Sequence, residues 1–226
     1  MESLSKKIWE RTHEQDVLSN VAFKTRLSFW IIFGLGVSSV LVYVFQNWNP
    51  NIWVYLLVGL VIPILGVVIS MKSDDWAISA LGYFLVVVGL GIIMGPTVGY
   101  FKTTVIINAL FATFGITILM SILGISIKKD LSHWGYYLFF GLCTLLAVRI
   151  IQLFIPVTYP NDSWWWRFVD YASAVLFSLY ILYDWNRAMR VSYTKDNAVD
   201  CALAIYLDIA NLFITLLRIM GRGGSK

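Results

Sequence analysis

The chain has 226 residues, of which 59% are hydrophobic and only 13% charged, with a net charge of +4 and a mean hydropathy of +0.75. A soluble globular domain does not carry that balance, and so short a chain leaves little room for anything besides membrane spans. The composition predicts an all-α polytopic membrane protein whose main partner is the lipid bilayer, and no nucleic acid is expected among its partners.

The first 26 residues are mixed in charge (Lys6, Lys7, Glu10, Arg11, Glu14, Asp16, Lys24, Arg26) and read as a cytoplasmic N-terminal segment. Ile8, Trp9, Val17, Leu18 and Val21 would form the apolar side of a surface helix there, with imperfect periodicity. No cleavable signal peptide is expected, because the apolar run that follows is long enough to span. About 20 apolar residues cross the hydrocarbon core. Seven runs qualify, at 27–45, 52–71, 77–95, 104–126, 135–155, 168–185 and 201–220. Residues 27–220 thus read as one bundle of seven transmembrane helices, with a short basic tail at 221–226. Short loops make consecutive helices antiparallel neighbours, and the charged segment 186–200 reads as the longest connection.

Within the third run and just past it, Gly91, Gly95 and Gly99 recur every four residues, which predicts close helix packing on one face, with a pore-lining role as the other reading. Pro96 is expected to end or kink that helix. Trp48, Trp53, Trp76, Trp134, Trp164, Trp165, Trp166 and Trp185 fall at or beside the ends of the runs, where indoles settle in the interfacial belts. His13 and His133 have no second ligand at metal spacing. Cys143 and Cys201 read as buried small hydrophobes rather than a disulfide.

The basic residues of short loops set the orientation. With the N-terminus in the cytoplasm, the inner segments carry Lys72, Lys128, Lys129, Arg187, Arg190 and Lys195 in addition to the N-terminal cations. The outer loops between spans carry only Lys102. Seven full crossings place Arg218, Arg222 and Lys226 outside, against that bias, and a last segment that dips in without crossing is the alternative.

The last run contains Asp208 near its middle. An ionisable group at the centre of a span costs roughly 2.5–3.5 kcal/mol on insertion scales, so it calls for a function or a partner. Asp208, Asn211, Thr215, Arg218 and Arg222 follow one another at intervals of three and four, one stripe on an apolar cylinder. The stripe continues backwards through Ala204, Cys201 and Asn197. The sixth run repeats the pattern with Asp170, Ser173, Phe177, Tyr180, Asp184 and Arg187. Asp184 is the nearest candidate partner for Asp208. Two carboxyls brought together share a proton and titrate as a pair. The plainer readings are that Asp184 meets water, Arg187 or Arg190, and that Asp208 is neutralised by Arg149 in the fifth run or hydrogen-bonded to Asn211. At 1.5 Å per residue, Asp208 lies about 5–10 Å deeper than Asp184 unless helix tilt or a re-entrant seventh segment closes the gap.

The segment DNAVDCALAIYLDIANLFITLLRIMG (196–221) resembles the C-terminal signature of the Bax inhibitor-1 family. LYDWNR (182–187) and MGPTVGYF (94–101) resemble its sixth-helix end and its glycine-proline exit from the third helix. The resemblance implies a seven-helix fold with a central C-terminal helix, and a bacterial-type, pH-sensitive calcium leak protein of the plasma (inner) membrane. It implies that Asp184 and Asp208 form the pair that closes the pore and lie on the path of Ca²⁺. Ca²⁺ is the permeant ion, with no resident cofactor. The family's basic residue near the end of the second helix has no arginine counterpart here, and Lys72 is nearest.

The expected function is therefore a pH-sensitive calcium leak channel gated by Asp184 and Asp208, with Asn211, Thr215, Arg218, Arg149 and Lys72 in support. The alternative is a non-transporting membrane regulator that binds other membrane proteins, a protease or a cell-death factor. Enzymatic activity is not expected: membrane aspartyl proteases need a GxGD context, which neither LYDW nor YLDI supplies.

Overall fold

A computed structural model describes residues 17–154 and 164–222. The surface helix expected from Ile8 and Trp9, His13, most of the outer 156–166 loop and the end of the basic tail lie outside the described residues. The described residues are helical almost throughout, in seven helices: α1 (Asn20–Phe45), α2 (Ile52–Lys72), α3 (Trp76–Gly99), α4 (Thr103–Ser126), α5 (Trp134–Phe154), α6 (Trp164–Ala188) and α7 (Lys195–Gly221).

Side-chain caps begin several of them. Ser19 accepts from the Ala22 amide, Asn51 from Val54, Asp75 from Ala77 and Thr194 from Asn197, at 3.2, 2.9, 2.8 and 3.0 Å. Each satisfies a backbone donor that a helix start leaves without an intrahelical acceptor. Capping moves two boundaries beyond the apolar runs. α1 starts at Asn20 instead of 27, and α7 starts at Lys195 instead of 201. The connection between α6 and α7 is accordingly only 189–194, much shorter than the 186–200 loop expected from charge.

Six of the seven helices are long and apolar enough to cross a membrane. α6 has the length, but it carries Arg167, Asp170, Asp184, Asn186 and Arg187. Those polar groups are one-sided: Asp170, Ser173, Asp184 and Asn186 are buried, while Phe168, Tyr171 and Val175 are exposed. Averaged hydropathy hides such a helix, because its polar atoms are shielded by neighbours and its outer face is apolar. The molecule is a multi-pass integral membrane protein.

The helices fall into two compact units, the first holding α1–α3 with residues 190–206 and the second holding α4–α6 with the chain from Leu207 onward. α7 contributes to both, and it has the largest buried share of the six apolar helices.

In the first unit, Gly66 and Gly82 bring α2 and α3 together so closely that a Cβ on either meets the other's carbonyl oxygen. Gly91, Gly95 and Gly99 abut Ser38, Leu41 and Phe45 of α1 and its C-cap Gln46, so the glycine stripe is a packing surface. α3 does not end at Pro96; it continues to Gly99, since the proline forfeits its own amide donor while the residues after it keep theirs. Just before Pro63, α2 widens into a π-turn over Leu57–Val61, a local adjustment that accommodates a missing amide donor. Tyr83 donates to the Trp30 carbonyl at 2.6 Å, and Ser38 and Tyr206 hydroxyls meet at 2.6 Å.

Neither cysteine forms a disulfide. Cys201 is buried as expected, but Cys143 is exposed, because α5 turns most of an apolar surface outward.

Candidate functional site: the carboxyl pair of α6 and α7

The candidate site lies wholly within the second unit. Asp184 sits four residues before the end of α6 and Asp208 thirteen residues after the start of α7. They are 8% and 7% exposed, and their carboxyl groups lie within side-chain hydrogen-bonding reach of each other. The depth mismatch inferred from the apolar runs does not keep them apart.

Asp208 Oδ2 is fully buried, and no amide, hydroxyl or amine donates to it. A carboxylate has only acceptors, so an Asp–Asp hydrogen bond requires a proton on one of the two groups. Other ionisable groups surround the pair. Arg187, one turn along α6, acts electrostatically on Asp184. The pairing with Asp208 and the influence of Arg187, read from the sequence as alternatives, therefore coexist. The Tyr180 phenol lies within electrostatic reach of both aspartates and of Cys143.

The α6 stripe is built as its spacing predicts: Asp170, Ser173, Phe177 and Asp184 are buried, with Tyr180 and Arg187 half-buried. The α7 stripe departs from its reading at Asn211, which is exposed and donates to its own helix at the Leu207 carbonyl, 2.8 Å away. At about 100° per residue, Asn211 and Arg218 fall about 60° and 80° to one side of Asp208, whereas Thr215 falls within about 20°. Thr215 is accordingly buried and donates to the Asn211 carbonyl at 2.7 Å, and Arg218 is half-buried.

Neither plainer partner serves Asp208. Asn211 is turned away, and Arg149 reaches Asp170 at 2.5 Å. Arg222 binds the other oxygen of the same Asp170 carboxylate. Asp170 is 4% exposed, so one buried anion joins α5, α6 and the end of α7. Lys72 is the exposed last residue of α2, in the first unit.

Sequence reasoning missed two carboxylates at the start of α7. In the first unit, Ser70 donates to Asp200 and Ser79 donates to Asp196 at 2.5 Å. The available signal was the four-residue spacing of Asp196 and Asp200 on a helix face that also carries the small residue Ala204. Among the described residues, no group of three or more His, Cys, Asp or Glu side chains is placed to hold a metal ion.

Residues 20–225 match the protein-family model described as inhibitor of apoptosis-promoting Bax1. An uncharacterized protein of Helicobacter pylori is 32% identical over 135 residues, covering 58% of this chain and 56% of that protein. Bax inhibitor 1 of Schizosaccharomyces pombe is 28% identical over 155 residues, covering 67% of this chain and 55% of the yeast protein. An uncharacterized membrane protein of Vibrio cholerae is 32% identical over 149 residues, covering 63% and 64%. The chain thus spans between half and two thirds of the length of these relatives. The family match covers every described helix, and the chain belongs to the Bax inhibitor family of multi-pass membrane proteins.

Proposed function

We propose that the protein is a pH-sensitive calcium leak channel, gated by the protonation of Asp184 and Asp208. The observation that carries the reading is the buried carboxyl pair. The hydrogen bond needs one shared proton, so it couples the attachment of α7 to α6 to the proton concentration. Without that proton two anions face each other in a low-dielectric site, where repulsion favours separation. A separated pair offers carboxylate oxygens, the ligands that suit Ca²⁺. Two carboxyls are far fewer than the six to eight oxygens of a tight Ca²⁺ site, which fits an ion in passage and no resident cofactor. The reading assigns no catalysis. It places the chain in a bacterial plasma membrane with the N-terminus in the cytoplasm.

The test is Ca²⁺ flux into proteoliposomes as a function of pH, for the wild type and Asp208→Asn. Asparagine keeps the size and one donor but cannot titrate, so the expected outcome is flux that no longer follows pH. A mutant with the wild-type pH profile overturns the gating role. Wild-type protein that is silent at every pH, while a membrane-protein partner co-purifies, favours the regulator reading instead.

A further inference from the structure

The α6–α7 pair is joined at two places. Asp184 meets Asp208 toward one end, and Asp170 meets Arg222 toward the other. Asp170 and Asp184 are 14 residues apart on α6, and Asp208 of α7 and Arg222, the residue just past its end, are also 14 residues apart. Two antiparallel helices show such matched spacing only when both contacts belong to one register, with no slip over the intervening four turns, about 21 Å. Fourteen residues is also two heptads, the repeat that keeps a single seam in contact between two helices. Phe177 and Thr215 fall at the midpoint of the two intervals, and both are buried.

The far contact is an ion clasp rather than a simple pair. One Asp170 oxygen accepts from Arg149 of α5 and the other from Arg222. Breaking one partner of a buried ion pair leaves a charge uncompensated, which makes such contacts all-or-none. Arg222 Nη1 is buried with no acceptor, so Asp170 is what anchors this guanidinium.

We propose that Asp170 is a positioning residue for the Asp184–Asp208 pair: by clasping Arg149 and Arg222 it sets the register of α7 on α6 that brings the two carboxyls into contact. This rests on the gating reading above, but its first test does not. Around the first contact, Tyr180, Tyr183 and Arg187 of α6 interact electrostatically with the aspartates, with Cys143 of α5 beside Tyr180, and the second contact holds Arg149 of α5 and Arg222. α4, which packs along α6, contributes none. Arg149 and Arg222 are the cations that the clasp holds against Asp170.

The experiment uses the full chain in native membranes with Cys143→Ser and Cys201→Ser. Phe177→Cys combined with Thr215→Cys is expected to cross-link on mild oxidation. Adding Asp170→Asn is expected to lower that yield severalfold and to raise cross-linking of Phe177→Cys with Leu212→Cys or Ile219→Cys, one turn to either side. Arg222→Gln, a change at the helix end, is expected to shift the yields in the same direction, and Asp170→Glu to restore them. Failure of the wild-type register pair to cross-link, or yields that neither Asp170→Asn nor Arg222→Gln changes, overturns the proposal.

In proteoliposomes, the pH midpoint of Ca²⁺ flux is expected to move by half a unit or more in Asp170→Asn and to return in Asp170→Glu. Displaced cross-links with an unmoved midpoint reduce Asp170 to a structural tie and overturn its positioning role. Wild-type flux indifferent to pH ends the gating reading, while the cross-links still decide the register.

Discussion

Residues at which two backbones nearly touch are sensitive to a single methyl group. Gly66 and Gly82 face each other across α2 and α3, and a Cβ on Gly82 also meets the Ser70 amide. Backbone cannot rotate away as a side chain does, so the helices must separate. Gly82→Ala is expected to destabilise the protein by about 1–3 kcal/mol, the usual range for overpacking. Gly36→Ala is the control, because nothing lies within 4 Å of a Cβ there. Thermal unfolding in detergent compares the two, and equal midpoints refute the close contact. Gly124 of α4 belongs to the sensitive class as well, since its Cβ meets the Leu182 carbonyl and Trp185 of α6. That contact supports α6 just before Asp184.

At the scale of elements, α7 depends on how it begins. Thr194 accepts from the Asn197 amide at 3.0 Å, and the Asn197 side chain donates to the Ser192 carbonyl at 2.8 Å. The segment before it is held by a hydrogen bond from the Leu18 amide to the Tyr193 carbonyl, 2.6 Å, and by stacking of Phe23 on Tyr193. Thr194→Ala removes the cap and is expected to cost about 1 kcal/mol. Amide exchange should rise over the first turn of α7, with Thr194→Ser close to wild type. Unchanged exchange in Thr194→Ala would mean that packing alone holds the helix start. α6 shows the complementary case, in which a helix too polar on average is acceptable because neighbours cover its polar face. Mutating Ser173 or Asn186 therefore reports on packing within the unit, not on lipid contact.

For the whole molecule, charge supplies the prediction of topology. Lys72, Lys128, Lys129, Arg187, Arg190 and Lys195 share one side if every helix crosses, and Lys102 lies on the other. α7 is 27 residues long, about 40 Å at 1.5 Å per residue, which is enough for a full crossing. Arg222 at its far end is matched by Asp170, which reduces its weight against the bias of the loops. Alkaline phosphatase fused after Lys226 should be active and after Lys129 inactive. Equal activity at the two positions would favour a last segment that returns to the cytoplasm.

Composition and hydropathy alone determined the class of molecule, because hydrocarbon admits few structures besides helices and forces polar atoms into pairs. Interval patterns alone marked the buried faces of α6 and α7, since the helical repeat is a property of the backbone. They did not assign partners. Arg149 was equally available to Asp208 and to Asp170, and spacing on one helix says nothing about which neighbour faces it. Asn211 shows the same limit: it shares the interval rule with Thr215 but drifts off the seam, and only the packing of α7 decided that it turns outward. Helix ends were likewise misplaced wherever a polar cap, rather than the apolar run, terminates the helix, as at Ser19 and Thr194. Periodicity is local and is written in the chain, whereas partner choice is set by which helices pack together, and that is decided only when the tertiary structure forms.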